Sequence, residues 1–314
     1  MVDQVGAPKH ASSPTPAWLD RAGFPFPPRY LPTRHGQVHY VDEGPRDGEV
    51  VLLVHGTPSW SYEYRHLIPV LAKTRRVLAV DHLGFGLSER PKDFAYTPEA
   101  HTEVLREVIE KLGLTRFSLV VHDYGGPIAL PLAQEMPERI SKLVVLNSWM
   151  WSMLDEPKFA RGARFMSSWL GRFMYRWLNA SLRMLMPFAY ADRRKLTREI
   201  HDQYLAVFPS RDDRERVLWA LARAFIASRA AFERLWQQRA RLAEIPSLIV
   251  WGLGDRALPP ELLARFRRGL PQARVEALAG VGHWPQEEAP AQVAALLDGF
   301  LPRASGTRDK LLSA

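Results

Sequence analysis

Residues 117–126 constrain the fold of this 314-residue chain more than any other segment. An apolar, β-branched run ends at Asp123, and a glycine pair and a helix-forming segment follow it. This order predicts a strand, a sharp turn and a helix, with Asp123 at the apex of the turn. A turn of this kind is strained and pushes one side chain out above the sheet. We therefore expect the Asp123 carboxylate to project from the end of a buried strand.

Apolar runs alternate with helix-length segments along most of the chain. The predicted strands are 37–42, 50–54, 76–80, 117–122, 142–146, 247–251 and 274–278. The predicted helices are 62–72, 98–112 and 127–136. Continuous apolar runs are typical of strands that are buried on both faces. The alternation therefore predicts an α/β fold, with a mostly parallel central sheet flanked by helices.

This alternation stops at about Asn147 and resumes at about Ile245. The residues between lack strand patterns and carry Trp, Phe, Met, Leu and Arg at helical spacing. We predict an all-helical cap over 148–244, inserted into a core that consists of 29–147 and 245–302. Residues 1–28 are predicted to form a mobile or surface-wrapping arm, and residues 303–314 a frayed tail.

The composition excludes several classes of protein. The chain has no cysteine, which rules out disulfides and thiolate metal sites. No run approaches the roughly 18 apolar residues that a membrane span needs. The first residues lack the apolar core of a signal peptide. With 46% hydrophobic and 24% charged residues, the composition is globular and we expect a cytoplasmic protein.

The net charge of +8 is unevenly distributed. Residues 156–241 hold 18 Lys and Arg against 8 Asp and Glu, a net of +10, which leaves −2 for the rest of the chain. A basic, aromatic-rich segment fits either nucleic acid or an anionic membrane. It also fits a solvated, Arg-rich helical surface whose aromatic side chains face inward. We favour this last interpretation and expect no nucleic-acid partner, because no nucleic-acid motif accompanies the charge.

The carboxylate at the predicted apex limits the chemistry. A carboxylate is a weak nucleophile at an ester, because the product would be a high-energy anhydride. At a saturated carbon it displaces a leaving group and gives an alkyl ester, which water can cleave later. Asp123 therefore favours the opening of a carbon–halogen bond or an epoxide over the chemistry of an esterase or protease.

A second motif, Val-His-Gly-Thr-Pro-Ser-Trp at 54–60, directly follows a predicted strand. Its glycine turn lets backbone N–H groups point into a cavity. We expect the N–H groups of Thr57 and Tyr124 to form an oxyanion hole. A plain strand-to-loop turn is the alternative, and the presence of the Asp123 turn favours the oxyanion hole.

Two further residues follow strands near the end of the chain. Asp255 comes after a strand that ends in glycines, and His283 lies on a glycine-flanked loop after the last predicted strand. A lone Asp or His is more often a surface residue, but both fall where the loops of a parallel sheet gather. We expect His283 to act as a base on water and Asp255 to hold its tautomer.

The remaining histidines have structural interpretations. His55, His82, His101 and His122 are expected to hydrogen-bond loops or carbonyls, and the strand alternation directs His122 away from the cavity. No pair has the spacing of metal ligands, so we predict no metal.

Together these motifs resemble a known family. They are His55-Gly-Thr-Pro58, Asp81-His-Leu-Gly-Phe-Gly-Leu-Ser88, the turn at 122–126, Asp255 and Gly282-His283. The chain resembles the α/β-hydrolase superfamily, in the haloalkane dehalogenase and epoxide hydrolase branch that uses an aspartate nucleophile. The resemblance runs from about 29 to 301, and 40–44 and 58–65 are most similar to haloalkane dehalogenases. Asn147 is similar in placement to a residue of a subset of that family.

The resemblance has two departures at the leaving-group site. Haloalkane dehalogenases usually have Trp after the nucleophile, with a second halide donor from Asn or from a cap Trp. This chain has Tyr124 after Asp123, and Thr57 at the position of the Asn. The other candidates for stabilising the leaving group are Trp149, Trp151, Trp169 and Trp177. For an epoxide hydrolase the candidate acids are Tyr175, Tyr190 and Tyr204.

The sequence therefore predicts a cofactor-independent hydrolase that forms an aspartyl-alkyl ester. Haloalkane dehalogenase is the first expectation, with a small apolar substrate, water and a halide ion as partners. The alternatives are an epoxide hydrolase, a hydrolase of unassigned substrate with the same triad, and a non-catalytic relative that binds a small ligand. The chain is expected to be a monomer or a homo-oligomer.

Overall fold

The structure of the protein is a computed structural model that describes residues 16–303. Within this range eight strands form one sheet. They are β1 (Arg29–Thr33), β2 (Gly36–Glu43), β3 (Val50–Val54), β4 (Arg76–Val80), β5 (Phe117–Asp123), β6 (Ile140–Ser148), β7 (Ser247–Gly252) and β8 (Arg274–Leu278). Their order across the sheet is β1-β2-β4-β3-β5-β6-β7-β8.

Most strand pairs in this sheet are parallel. β2 pairs antiparallel with β1 and β4, and the other five pairs are parallel. The predicted mostly parallel sheet is confirmed. Strand β1 was not predicted, because its residues Arg-Tyr-Leu-Pro-Thr lack apolar alternation. This strand lies at the edge, where proline is tolerated because its missing N–H faces away from the neighbouring strand.

Helices cover the sheet and fill the chain between β6 and β7. The α-helices are α1 (Ile68–Leu71), α2 (Pro98–Lys111), α3 (Gly125–Glu135), α4 (Pro157–Ser167), α5 (Trp169–Leu178), α6 (Met186–Ala189), α7 (Arg198–Ala206), α8 (Arg211–Asp213), α9 (Ala220–Ala227), α10 (Arg229–Gln237), α11 (Pro260–Gly269), α12 (Pro285–Glu288) and α13 (Pro290–Phe300). The 3₁₀-helices are Ser61–Tyr64, Pro137–Arg139, Arg193–Lys195 and Arg239–Leu242, and Ser181–Leu185 and Arg214–Trp219 are π-helical.

The prediction of one helix over 62–72 is wrong. The chain forms a 3₁₀ turn at Ser61–Tyr64 and only one α-helical turn, α1. Polar contacts hold the 3₁₀ turn in place, because the N–H of Ser61 donates to Asp81 at 2.8 Å. The Tyr64 hydroxyl donates to the carbonyl of Val54 at 3.0 Å. These contacts with the core outweigh the local helical pattern.

Strand β5 lies near the middle of the sheet and is buried along its whole length. β3 and β6 flank it on either side, in parallel. Because the strands run in the same direction, the loops that follow β3, β5 and β7 emerge at one edge of the sheet. This edge is where the predicted site residues follow their strands.

We call residues 149–246 the helical insertion, because helices α4 to α10 lie there, between β6 and β7. The prediction that its aromatic side chains face inward is wrong for part of it. Phe165, Trp169, Phe173 and Trp177 are exposed. Helix α5 packs inward on the side where Gly171 and Tyr175 are buried. Its apolar residues extend beyond this side around the helix, so some of them are exposed.

The described part of the N-terminal arm packs against the protein. Phe24 is fully buried, and its ring lies 5.0 Å from that of Trp60. The side chain of Gln203 accepts a hydrogen bond from the N–H of Asp20 and donates one to the carbonyl of Trp18, each at 2.9 Å. Residues 16–28 therefore wrap the surface. The rest of the predicted arm, and the predicted tail beyond Arg303, lie outside the described residues.

Candidate active site

Asp123 is the last residue of β5 and has a φ of 49°. Few non-glycine residues adopt this left-handed conformation, and the surrounding structure must hold it. The hydroxyl of Ser148 donates to the Asp123 carbonyl oxygen at 2.6 Å, and helix α3 begins two residues later, at Gly125. The predicted strand, turn and helix are therefore present, with the carboxylate at the apex.

Two glycines make room for this turn. A Cβ atom at Gly56 would overlap the side chain of Asp123, and one at Gly125 would overlap the carbonyl oxygen of Val54. The loop after β3 can therefore approach the Asp123 carboxylate only because these positions lack side chains.

Backbone and side-chain donors hold the Asp123 carboxylate. The N–H of Thr57 donates to Oδ1 at 2.9 Å. The N–H of Tyr124 lies at the start of α3, where backbone donors have no partner within the helix. Burial alone would raise the pKa of Asp123, but the hydrogen bond and charge of His283 outweigh burial and lower the pKa.

His283 lies between two carboxylates. Its Nε2 is 3.2 Å from Asp123 Oδ2, and its Nδ1 is 2.7 Å from Asp255 Oδ2. Burial alone would lower the pKa of His283, but the charges and hydrogen bonds of Asp255 and Asp123 raise it to about 10. The two carboxylates thus favour the imidazolium form of His283 in the resting site.

Asp255 is fixed by four donors in all. Its Oδ1 accepts the backbone N–H groups of Ala257 and Leu258 at 2.7 and 2.8 Å. Besides His283, Oδ2 accepts Nδ2–H of Asn147 at 2.7 Å. The Asn147 side chain in turn accepts the N–H of Gly252 at 2.8 Å. Asn147, noted in the sequence for its placement, thus orients the carboxylate that orients His283.

His122, which was predicted only to be structural, lies directly behind His283. Its Nε2 donates to the carbonyl oxygen of His283 at 2.8 Å. Its Nδ1 lies 3.1 and 3.2 Å from the two carboxylate oxygens of Glu63. Glu63 was not singled out from the sequence, because nothing local to residue 63 shows that the fold buries it against His122.

The Asp123 carboxylate and His283 face a cavity of about 300 Å³. The core contributes polar groups to its lining, and the helical insertion contributes a largely apolar wall. The wall residues include Phe159, Met166, Leu218, Ala222 and Phe225. A cavity of this kind suits a small apolar molecule, held with few polar contacts against the carboxylate.

A family model described as the alpha/beta hydrolase fold matches residues 49–290. The chain belongs to the alpha/beta hydrolase fold family. The nucleophile, acid and histidine positions of such hydrolases follow one another in chain order, as Asp123, Asp255 and His283 do here.

Comparison with individual proteins shows which members of this family the chain is similar to. The chain is 34% identical to haloalkane dehalogenase 2 of Mycobacterium tuberculosis, over 87% of this chain and 94% of the relative. It is 30% identical to a cis-3-alkyl-4-alkyloxetan-2-one decarboxylase of Shewanella oneidensis, over 88% of this chain and 89% of the relative. The structure of the haloalkane dehalogenase DatA of Agrobacterium tumefaciens C58 superposes with a TM-score of 0.76 at 27% identity, over 87% of this chain and 95% of that one. This alpha/beta hydrolase is therefore haloalkane dehalogenase-like.

The candidate leaving-group residues of this hydrolase fall into three groups. Those that line the cavity are Thr57, Tyr124, Trp149 and Tyr175. Those that are buried without lining it are Trp151, Tyr190 and Tyr204. Those that are exposed, also outside the lining, are Trp169 and Trp177.

Hydrogen-bond donors in the lining differ in their availability. The Tyr124 hydroxyl already donates to the carbonyl of Leu221 at 2.7 Å. Thr57 Oγ1, Trp149 Nε1 and Trp284 Nε1 are buried and have no hydrogen-bond partner among the described residues. Trp284 was not predicted, although its position directly after His283 is a signal that it lies near the site.

Within residues 16–303 there is neither a side-chain cluster suited to a metal ion nor a helix suited to cross a membrane. No group of three or more His, Cys, Asp or Glu side chains is arranged to hold a metal ion in this range. None of the helices described there has the length and apolar character needed to cross a membrane.

Proposed function

We propose that this protein is a hydrolase that forms an ester between Asp123 and a saturated carbon of a small apolar substrate, with haloalkanes as the first substrate class. One observation carries the proposal: the Asp123 carboxylate faces an apolar cavity while His283 lies between it and Asp255. The similarity to haloalkane dehalogenases supports the substrate class.

In the first step an oxygen of Asp123 attacks the carbon that carries the halogen. The carbon–oxygen bond forms as the carbon–halogen bond breaks, and the halide leaves with the bonding electron pair. The unpaired donors Thr57 Oγ1 and Trp149 Nε1 line the same cavity and are suited to stabilise the departing anion. The apolar wall excludes the water that would otherwise solvate the Asp123 carboxylate and weaken it as a nucleophile.

Ester formation changes His283 from an ion-pair partner into a base. Asp123 raises the pKa of His283 through its charge and hydrogen bond. When Asp123 becomes a neutral ester, the charge disappears and the pKa of His283 falls. The imidazolium then releases its proton to the solvent. The neutral imidazole removes a proton from a water molecule, and the hydroxide attacks the carbonyl carbon of the ester.

The second step also uses the backbone donors near Asp123. The tetrahedral oxyanion is stabilised by the N–H groups of Thr57 and Tyr124, each worth about 3 kcal/mol by analogy with acyl transfer. Asp255, held by Asn147, stabilises the imidazolium that forms on His283. When the intermediate collapses, the carbonyl carbon–alkoxide bond breaks and the hydroxyl proton of the intermediate passes to the departing alkoxide. This releases the alcohol and regenerates the Asp123 carboxylate with His283 as the imidazolium, using only this chain and water.

Epoxide hydrolysis is less well supported by the cavity. An epoxide hydrolase would need a pair of tyrosines from the helical insertion to protonate the alkoxide. Of the three candidates there, only Tyr175 lines the cavity. Tyr204 instead donates its hydroxyl to the carboxylate of Glu287. Tyr190 is buried against Trp284, at a ring distance of 5.2 Å.

A second candidate follows from the similarity to oxetan-2-one decarboxylases over most of the chain. Attack of Asp123 on the saturated ring carbon bonded to oxygen would break that carbon–oxygen bond, open the four-membered ring and free its carboxylate. Loss of carbon dioxide would then form an alkene and expel Asp123, with no water consumed. The first step is shared, and the products separate the two functions: alcohol and halide in one case, alkene and carbon dioxide in the other.

The decisive experiment traps the ester. In the variant His283→Phe the base is missing, and we expect incubation with 1-bromobutane to add one butyl group to Asp123, seen by intact-protein and peptide mass spectrometry. The matched variant Asp123→Asn/His283→Phe should gain no mass. Turnover of bromoalkanes by the wild type with no adduct in His283→Phe would overturn the mechanism. An adduct together with no more than one halide released per wild-type enzyme molecule would overturn the assignment of haloalkanes as substrates.

A further inference from the structure

Exposed apolar side chains are concentrated in one short segment of the helical insertion. Within residues 16–303, nine of the eleven large apolar side chains that are exposed lie between 165 and 188. We call these nine side chains the outer apolar face. Trp169, its most exposed member, has 79% of its surface accessible. A concentration of exposed apolar side chains marks an interaction site more often than a single exposed side chain does.

Helix α5 carries the centre of this face. Trp169, Phe173 and Trp177 recur every four residues and therefore lie along one side of the helix. Gly171 and Tyr175 are buried on the opposite side. The helix thus uses one side to pack within the protein and presents a second apolar side outward.

The charge around the face favours an anionic partner. Arg161, Arg164 and Arg183 are exposed, and no carboxylate of the described residues forms an ion pair with them. Arg172 and Arg176 are paired with Glu215 and Asp212, and residues 156–241 nevertheless keep a net charge of +10. A second copy of the chain would bring the same positive charge against this face, so like-charge repulsion opposes a symmetric dimer here.

The face also adjoins the entrance of the cavity. Leu185 is exposed and lines the cavity, as do Lys158 and Gly162 on α4. Residues that are exposed and also line the cavity mark the point where the cavity opens to the surface. A substrate that leaves an apolar phase at the outer apolar face would therefore reach the entrance without crossing bulk water.

We propose that the outer apolar face docks on the surface of an anionic lipid bilayer, with α5 lying in the interfacial layer and the cavity entrance turned toward the lipid. Tryptophan and phenylalanine favour the level of the headgroups, and arginines beside them attract anionic lipids. The face lies on the bilayer and does not span it. This docking is independent of the reaction at Asp123.

The test is co-sedimentation of the full chain with vesicles of phosphatidylglycerol and phosphatidylcholine in equal parts, and with vesicles of phosphatidylcholine alone. We expect binding to the anionic vesicles at low ionic strength, which weakens as salt is added. The variant Phe173→Glu/Trp177→Glu should bind about 10- to 100-fold more weakly, because two exposed apolar side chains no longer enter the interface. The variant Gln237→Glu/Gln272→Glu adds the same charge at exposed positions outside the face and should lose much less affinity.

Three results would overturn the proposal. One is the absence of binding to anionic vesicles by the wild type, and a second is equal loss of affinity in the two double variants. The third is a wild-type dimer in analytical ultracentrifugation that Phe173→Glu/Trp177→Glu dissociates while vesicle binding persists. In that case the face would be an interface between copies of the chain. Circular dichroism and thermal unfolding establish that both variants are folded.

Discussion

His122 donates a hydrogen bond from its Nε2 to the backbone carbonyl oxygen of His283 at 2.8 Å. The other ring nitrogen lies against the carboxylate of Glu63, so that both nitrogens of His122 face oxygen acceptors. All three residues are buried. The pair formed by His122 and Glu63 therefore fixes the backbone from which the His283 imidazole projects.

We predict that this pair positions the base for ester hydrolysis. Removing His122 alone would leave the Glu63 carboxylate buried without a partner, so the informative variant is Glu63→Gln/His122→Ala. Hydrolysis of the alkyl-enzyme should slow by about 10- to 100-fold, since a displacement of about 1 Å has effects of that size. Alkylation of Asp123 should change little. Quenched single-turnover experiments measure both steps.

A conservative variant separates positioning from stability. Glu63→Gln/His122→Gln keeps an N–H donor at residue 122 and should recover part of the hydrolysis rate. An equal decline of alkylation and hydrolysis, or no recovery in the Gln variant, would contradict the positioning role.

The second prediction concerns pH. The pKa of His283 is raised to about 10 and that of Asp123 is lowered. The resting ion pair is therefore present throughout the neutral range, and it is lost only as the pH rises toward the pKa of His283 or falls below the usual pKa of a carboxyl group. Alkylation, which is reported by kcat/KM, should be flat over this range. Hydrolysis needs neutral His283 in the ester, where the lost charge of Asp123 lowers the His283 pKa. As pH falls through that lower pKa, kcat should fall and the ester should accumulate. A kcat/KM that falls in parallel with kcat at acid pH would contradict this assignment.

The third prediction concerns the leaving group. Trp149 packs edge-on against Tyr124, with ring centres 4.7 Å apart, and its buried N–H has no partner among the described residues. Trp149→Phe removes this donor and keeps most of the packing. A hydrogen bond to a charged group is worth about 1.5–3 kcal/mol, so kcat/KM for bromoalkanes should fall about 10- to 150-fold.

Trp151→Phe is the matched control for the leaving-group test. The N–H of Trp151 is also buried and unpaired within the described range, but this residue packs against Trp236 and Phe266 outside the cavity lining. Steady-state halide release measures both variants. A comparable loss in the two variants would exclude Trp149 as the donor.

The sheet and the turn at Asp123 were predictable because their determinants are local. Strand β5 is one apolar run, and the residue type and the glycines around Asp123 mark the turn within ten positions of sequence. The broken helix at 62–72 was not predictable in this way. Its geometry depends on a hydrogen bond to Asp81, which is distant in sequence. No pattern within the segment itself indicates this contact.

The same limit applies to the site. Asp255 and His283 could be placed because each follows a strand, and parallel strands bring their ends to one edge. Glu63 reaches the site through contacts with residues more than fifty positions away. Which of the aromatic residues of the insertion line the cavity depends on how seven helices pack. Helical spacing alone therefore could not separate the lining residue Trp149 from the exposed residue Trp169.

The last prediction concerns the cavity entrance at Gly162. This glycine lies within α4, is exposed, and has no heavy atom within 4 Å of the position of a Cβ. It also lines the cavity. A larger side chain at Gly162 can therefore be accommodated without overlap at its base, and its far end would narrow the entrance.

Gly162→Phe should reduce kcat/KM for 1-bromodecane about ten-fold more than for bromoethane, which corresponds to about 1.4 kcal/mol of steric selectivity. Gly162→Ala is the control, because it adds a Cβ without reaching across the entrance. It should leave the ratio of the two kcat/KM values unchanged and raise the free energy of unfolding by about 0.5–1 kcal/mol, since glycine inside a helix loses more conformational entropy on folding. Urea unfolding measures this gain. If Gly162→Phe lowers kcat/KM equally for both substrates, the entrance is elsewhere and α4 affects catalysis only through the packing of the insertion.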